Sequence, residues 1–161
     1  MKEYPKILGP QRSEEFPNCI AFDKLDGSNL RFEYSAKSGW YKFGTRRRLF
    51  DERDPEYGCA IDIFLHKYAD ALEKIIKDKY KKTESFIAFG EFFGPHSFAG
   101  KHDPGFLGVE HNEPKDVVLF DINIHKRGFV SPKEFVKVFG HLQIPEIIYE
   151  GPLTEDFIQS I

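Results

Sequence analysis

Apolar residues change their spacing twice along the chain, and the changes mark out a sheet, a helix and a second run of strands. From Asn18 onward, Ile20–Phe22, Leu30–Tyr34 and Gly39–Gly44 are short apolar or alternating runs divided by turn residues. They predict an antiparallel meander, with 35–39 as a loop. Residues 60–80 switch period: Ile61, Phe64, Leu65, Tyr68, Leu72, Ile75 and Ile76 recur at three- and four-residue spacing with charged residues between them. That predicts an amphipathic helix. Its tail, 74–82, holds five lysines and reads as a solvated face ahead of a nucleic-acid contact. Phe86–Phe93 and Val117–Ile124 return to strand character, the second so continuously apolar that burial on both faces is expected. Ser131 and Pro132 start a helix that Gly140 ends. After Ile144–Tyr149, Thr154 caps a last short helix, while residues 1–18, with Pro5, Pro10 and Pro17, form an irregular lead-in. The fold class expected is α+β.

Composition narrows this picture. A chain of 161 residues, 40% hydrophobic, fills one sizeable core, so a single domain over 1–161 is expected. Its 17 Phe and 7 Tyr suit a phenylalanine-packed core and also offer flat faces to a base. A net charge of -3 gives no overall attraction for a polyanion, so contact with nucleic acid has to come from a local patch, of which Arg46–Arg48 is the obvious one. Cys19 and Cys59 lack paired spacing and no signal peptide precedes them, which points to thiols in a reducing interior. No apolar run reaches membrane-spanning length; the expectation is a cytoplasmic protein with no membrane partner. The long loop between Gly94 and Lys115 contains His96, His102 and His111, but their spacing matches no compact zinc pattern, and no metal ligands are assigned.

The candidate chemistry centres on Lys24-Leu25-Asp26-Gly27-Ser28-Asn29, between the apolar 20–22 run and the alternating 30–34 run. A lysine amine attacks phosphorus or carbonyl carbon only when deprotonated, which calls for a fixed, partly desolvated position near other positive charge. Asp26-Gly27 supplies the turn, and Ser28 and Asn29 set short hydrogen-bonding groups beside it. The same four letters also make an ordinary hairpin turn. Two later patterns follow in fixed order: Gly90-Glu91-Phe92-Phe93-Gly94 and Val118-Leu119-Phe120-Asp121-Ile122. An ionised carboxylate is a good acceptor for a ribose diol, an aromatic ring stacks on a base, and fixed cations steady a phosphate in transfer.

Taken in that order, the three motifs resemble the N-terminal part of the lysine-dependent nucleotidyltransferases, most closely the ATP-dependent RNA ligases of the second phage type. The resemblance implies an antiparallel-sheet, ATP-grasp-like adenylation domain that is incomplete at its C-terminus. It also implies an RNA-repair enzyme that uses ATP and Mg²⁺, adenylates a lysine and joins RNA 5′-phosphate and 3′-hydroxyl ends. By that resemblance Lys24 is the nucleophile, and Phe22, Asp23, Asn29, Arg46, Glu91 and Phe120 bind nucleotide, with Glu91 on the ribose and Phe120 on the adenine. Arg46 and Arg47 meet phosphate or the RNA end.

Two later elements of the family's pocket are missing: a Glu-Gly strand with its metal-binding carboxylate, and a Lys-x-Lys strand. Glu150-Gly151 is followed by Pro152, which reads as a connection instead of a central strand. Lys77-Asp78-Lys79 fits the letters but lies upstream of Glu91. An unfinished sheet with an exposed edge or apolar patch is therefore expected, and a missing C-terminal fragment is an implied partner. Two alternatives stand beside the ligase: a non-catalytic remnant that binds nucleotide or RNA, and a capping-type guanylyltransferase that shares the lysine motif.

Overall fold

The structure, a computed structural model, describes residues 4–5, 18–94 and 115–160. The histidines His96, His102 and His111, and the prolines Pro10 and Pro17, lie outside the described residues. Two compact units make up the chain, residues 1–24 with 145–161 and residues 25–144.

In the larger unit the alternating run after Gly27 forms β2 (Ser28–Ser35), which lies between β3 (Gly39–Gly44) and β5 (Ser85–Phe93). The six-stranded sheet is completed by β4 (Leu49–Phe50), β6 (Asp116–Ile124) and β7 (Gly128–Phe129), in the order β4-β3-β2-β5-β6-β7, every pair antiparallel. Alternation along β2 sends Leu30 and Phe32 to one face and Asn29, Arg31 and Glu33 to the other. The helical stretch covers the first face. Its periodic apolar residues place Phe64, fully buried, flat against Phe32 with ring centroids 3.8 Å apart and planes within 4°; Trp40 meets Phe64 edge-on at 5.1 Å.

The predicted helix is α1 (Gly58–Phe64) and α2 (Asp70–Lys79) joined by a π-helical turn, Leu65–Ala69. Such a turn adds one residue to the helical repeat, and here two neighbouring side chains on it reach β6. Lys67 Nζ donates to Asp116 Oδ1 and to the Val117 carbonyl, each at 2.9 Å. The Tyr68 hydroxyl donates to the Gln143 carbonyl at 2.6 Å and accepts from the Leu119 N–H at 3.1 Å. Burial pushes the Tyr68 phenol up to about 12, so it stays a neutral donor. Helix α3 (Pro132–Phe139) begins as expected: the Ser131 hydroxyl oxygen accepts from the Glu134 N–H at 3.3 Å, and Pro132 takes the first helical position.

The smaller unit holds β1 (Asn18–Phe22) and β8 (Ile147–Pro152), antiparallel partners with Asn18 opposite Pro152 and Phe22 opposite Ile147. Helix α4 (Glu155–Ser160) follows, capped by Thr154, and Phe157 stacks on Tyr149 at 3.9 Å. Two expectations change here. The three-strand meander does not form, because β1 pairs with β8 instead of β2; only the β2–β3 hairpin survives of it. Residues Glu150-Gly151-Pro152 are not a connection but the end of β8, which tolerates a proline because a two-stranded ladder has no central strand. On β8, Ile147 and Ile148 are 37% and 52% exposed.

Candidate functional site

The segment carrying Lys24 leaves β1 and reaches β2 without making a hairpin. Phe22, half-buried, ends β1 opposite Ile147, with a register shift between Ala21 and Phe22. The Asp23 N–H donates to the Glu146 carbonyl at 2.7 Å, within the same small unit, and Asp23 and Lys24 are both exposed. A partly desolvated lysine was the expectation; the irregular connection leaves this one open to solvent.

Three residues later the chain is pinned. The Gly27 N–H donates to Glu91 Oε1 at 3.0 Å. The glycine is needed for close approach and not for a left-handed turn: a Cβ at Gly27 would sit 2.2 Å from the Phe92 carbonyl oxygen, so any side chain would push this backbone off β5 and out of reach of the carboxylate. Glu91 is half-buried on β5, directly opposite Asn29 of β2 in the ladder. Sequence order alone does not reveal that link between the lysine motif and the glutamate motif.

Phe120 reaches the same face of the sheet by an irregularity. Between Phe89 and Gly90 the β5–β6 register slips, so that Phe89 faces Asp121 and Gly90 faces Leu119, making Phe120 the extra residue of a bulge. Its half-exposed ring lies 6.4 Å from the Phe89 ring, and Phe129 of β7 lies 5.6 Å from Phe89 on its own account. Alternation puts Phe89 and Glu91 on one face. Leu119, the residue just before the bulge, is the one whose N–H the buried Tyr68 hydroxyl satisfies, so the helix fixes the backbone from which Phe120 projects. The structure thus brings Gly27, Asn29 and Glu91 together where β2 begins and β5 nears its end, with Phe120 midway along the neighbouring β6 in the larger unit.

One residue of this face was missed by sequence reading. Arg31, 2% exposed, lies between Asn29 and Glu33 on the face bearing Glu91, its Nε 3.4 Å from Glu33 Oε2. Room for its guanidinium comes from Gly44, its ladder partner on β3, where a Cβ would meet Arg31 Nη2 at 2.5 Å. The available signal was the Asn-x-Arg-x-Glu alternation of 29–33, which puts all three on one face.

Arg46 and Arg47 lie at the tip of the β3–β4 hairpin, just past Gly44, whose ladder partner is Arg31. The Thr45 hydroxyl oxygen shapes that tip by accepting from the N–H groups of Arg47 and Arg48, both at 3.1 Å. Arg46 and Arg47 are exposed, and their guanidinium groups make no ion pair among the described residues. Arg48 is already engaged, paired with Asp54 and lying 5.3 Å over the Tyr57 ring. The hydrogen bond from Arg48 lowers the Asp54 carboxyl to about 2, helped by the N–H groups of Tyr57 and Glu56. A carboxylate held below its unfolded value of about 4 contributes stability that is complete above that value and disappears as pH falls toward 2. Unfolding midpoints measured across that window are therefore expected to drop in the native protein and to drop less in Arg48→Ala. A parallel drop in both would show that Arg48 is not the cause.

Among the described residues no group of three or more His, Cys, Asp or Glu is arranged to hold a metal ion, and no helix is long and apolar enough to cross a membrane. Cys19 and Cys59 are free thiols.

Residues 18–161 match the family model described as RNA ligase. Two solved structures, both apo mutant forms of a Naegleria gruberi RNA ligase, share the fold. One is 16% identical with a TM-score of 0.62, and the other 17% identical with a TM-score of 0.59. Each alignment covers 91% of this chain but only 41% and 40% of the ligase chains, so this chain spans about two fifths of their length. No curated protein sequence matches. A family match over nearly the whole chain, joined to a shared fold, makes this protein a member of the RNA ligase family.

Proposed function

We propose that the chain is the lysine-bearing part of an ATP-dependent RNA ligase adenylation domain, with Lys24 as the group that takes AMP. The observation that carries this reading is the hydrogen bond from Gly27 to Glu91. It ties the backbone just past Lys24 to a carboxylate on a face that also holds Asn29 and Phe120. Gly27 is only three positions along the chain from Lys24, a reach of about 10 Å at most.

In this reading Glu91 accepts from the ribose hydroxyls of ATP, Phe120 stacks on the adenine, and Asn29 hydrogen-bonds near the ribose and phosphate. Phe22 and Asp23 border the nucleotide, and Arg46 and Arg47 meet phosphates of the nucleotide or of an RNA end. The Lys24 amine, once deprotonated, attacks the α-phosphorus. A P–N bond forms, the bond from that phosphorus to the bridging oxygen breaks, pyrophosphate leaves with the electron pair, and the surplus proton on nitrogen passes to solvent. Mg²⁺ typically joins such sites through substrate phosphates with one or two carboxylates. It would arrive with ATP. The substrates, RNA with 5′-phosphate and 3′-hydroxyl ends, follow from the family.

Incubation with ATP labelled at the α-phosphate tests the proposal. A covalent label that withstands alkali and is released by acid, as a phosphoramidate is, supports it. ATP binding without any adduct, even when the C-terminal part of a longer RNA ligase is supplied in trans, favours the non-catalytic remnant.

A further inference from the structure

We propose that the end of the larger sheet remote from Glu91 is a second face for RNA, one that grips backbone phosphates. The choice of RNA as occupant rests on the ligase reading above; the surface itself rests on how three turns meet. The β2–β3 turn, the α2–β5 turn and the β6–β7 turn are joined by hydrogen bonds. The Ala36 N–H donates to the Glu84 carbonyl at 2.8 Å, the His125 N–H to the Ser85 carbonyl at 3.1 Å, and Arg127 Nη2 to the Lys81 carbonyl at 3.1 Å. Register agrees, since Ser35 faces Ser85 and Phe86 faces Ile124. Glu91 lies six residues further along β5, about 20 Å at the rise of a strand.

These turns concentrate cations in a chain whose net charge is -3. Lys37, Lys79, Lys81, Lys82, Lys126 and Arg127 are all exposed there, and Glu84 is the one acid within residues 36–38, 79–84 and 125–127. Read along the chain, the lysines of 74–82 look like an ordinary solvated helix face. The fold adds Lys37 and residues 125–127 to them, and Arg127 locks the last two turns together by lying 5.6 Å over the Tyr80 ring.

Backbone conformation argues further that charge is wanted here. Among the described residues only two non-glycine residues have positive φ, Lys82 and Lys126, each at 65°. Glycine or asparagine suits that conformation better than lysine does. Lysine nevertheless occupies both positions, one in each of two facing turns, which is the pattern of backbone strain kept for a purpose. Exposed lysines with no base-specific geometry fit phosphodiester oxygens and predict salt-sensitive, sequence-tolerant binding.

The test is titration of a labelled single-stranded oligoribonucleotide by fluorescence anisotropy at several salt concentrations. Lys82→Gly/Lys126→Gly should bind at least about fivefold more weakly at low salt. Its salt slope should be shallower by about 1 to 2, while its melting temperature is unchanged or higher because the backbone strain is gone. Lys82→Gln/Lys126→Gln, which keeps long side chains, should lose the same affinity. Wild-type affinity and slope in both variants overturns this face and leaves the ligase reading standing. Absence of RNA binding by the unaltered protein also overturns it, and α-labelled ATP then shows separately whether Lys24 is still modified.

Discussion

Lys24→Ala should carry no covalent label from α-labelled ATP under any condition, while its melting temperature stays within about a degree of the parent. The loss is total because the side chain is the bond-forming partner: without an amine there is no nitrogen to receive the phosphoryl group. Lys24→Arg should fail equally, since a guanidinium remains protonated at any pH the fold survives. Stability is spared because Lys24 is exposed, and surface substitutions away from packed features usually move stability by no more than about 0.5 kcal/mol. Glu91→Gln supplies the contrast. It keeps an oxygen for the Gly27 N–H, which Glu91 now accepts at 3.0 Å, but gives up the charge that roughly doubles the strength of such bonds. Labelling should then slow by about 10- to 100-fold, the equivalent of about 1.4 to 2.8 kcal/mol, without vanishing. Persistent label in Lys24→Ala would place the nucleophile elsewhere and end the assignment.

Phe64→Ala should be the most damaging single change to the fold, costing about 3 to 5 kcal/mol. Phe64 is fully buried and lies between three rings: Phe32 stacked at 3.8 Å, Trp40 edge-on at 5.1 Å and Tyr68 tilted at 5.5 Å. Alanine would leave a ring-sized void where α1 crosses the centre of the sheet, and each aromatic pair adds about 0.5 to 1.5 kcal/mol beyond the area it buries. Domains hold only about 5 to 15 kcal/mol in all, so a large share of the reserve goes. Urea unfolding followed through Trp40 fluorescence measures it directly, because Trp40 touches the deleted ring. A cost below about 1.5 kcal/mol, with the slope of the transition unchanged, would mean that the helix is anchored elsewhere.

Local pattern and long-range pairing were legible to different degrees. The β2–β3 hairpin, the helix over 60–80, the cap at Ser131 and the strands at 86–93 and 117–124 all follow from interactions between near neighbours, and those leave a period or a turn signal in the letters. β1 does not. Its partner β8 begins at Ile147, more than a hundred residues away, and nothing around Ile20 encodes it, so Asp26-Gly27 looked like a hairpin closing onto β2. Pro152 likewise argued against a strand only on the assumption that the strand would be central. At the candidate site the sequence offers residue types suited to the proposed chemistry, whereas their mutual placement is not written in it. The bond between Gly27 and Glu91, the bulge that turns Phe120 and the buried Arg31 beside Gly44 each depend on a register that only the folded sheet defines. The helix tail shows the same limit, since its lysines gain a meaning only when residues 36–38 and 125–127 are brought alongside them.

The five-residue π-helical turn has a consequence for how this helix can change over evolutionary time. Lys67 and Tyr68 are consecutive, yet both reach the same strand, whereas in a regular α-helix adjacent side chains diverge by about 100°. Deleting one residue to restore the ordinary winding would swing one of the two off β6. Either the first strand residue would lose its cation or the backbone before Phe120 would lose its phenol. Local regularity and a firmly seated backbone before Phe120 are therefore mutually exclusive in this chain, and the wide turn should be inherited together with the bulge it steadies.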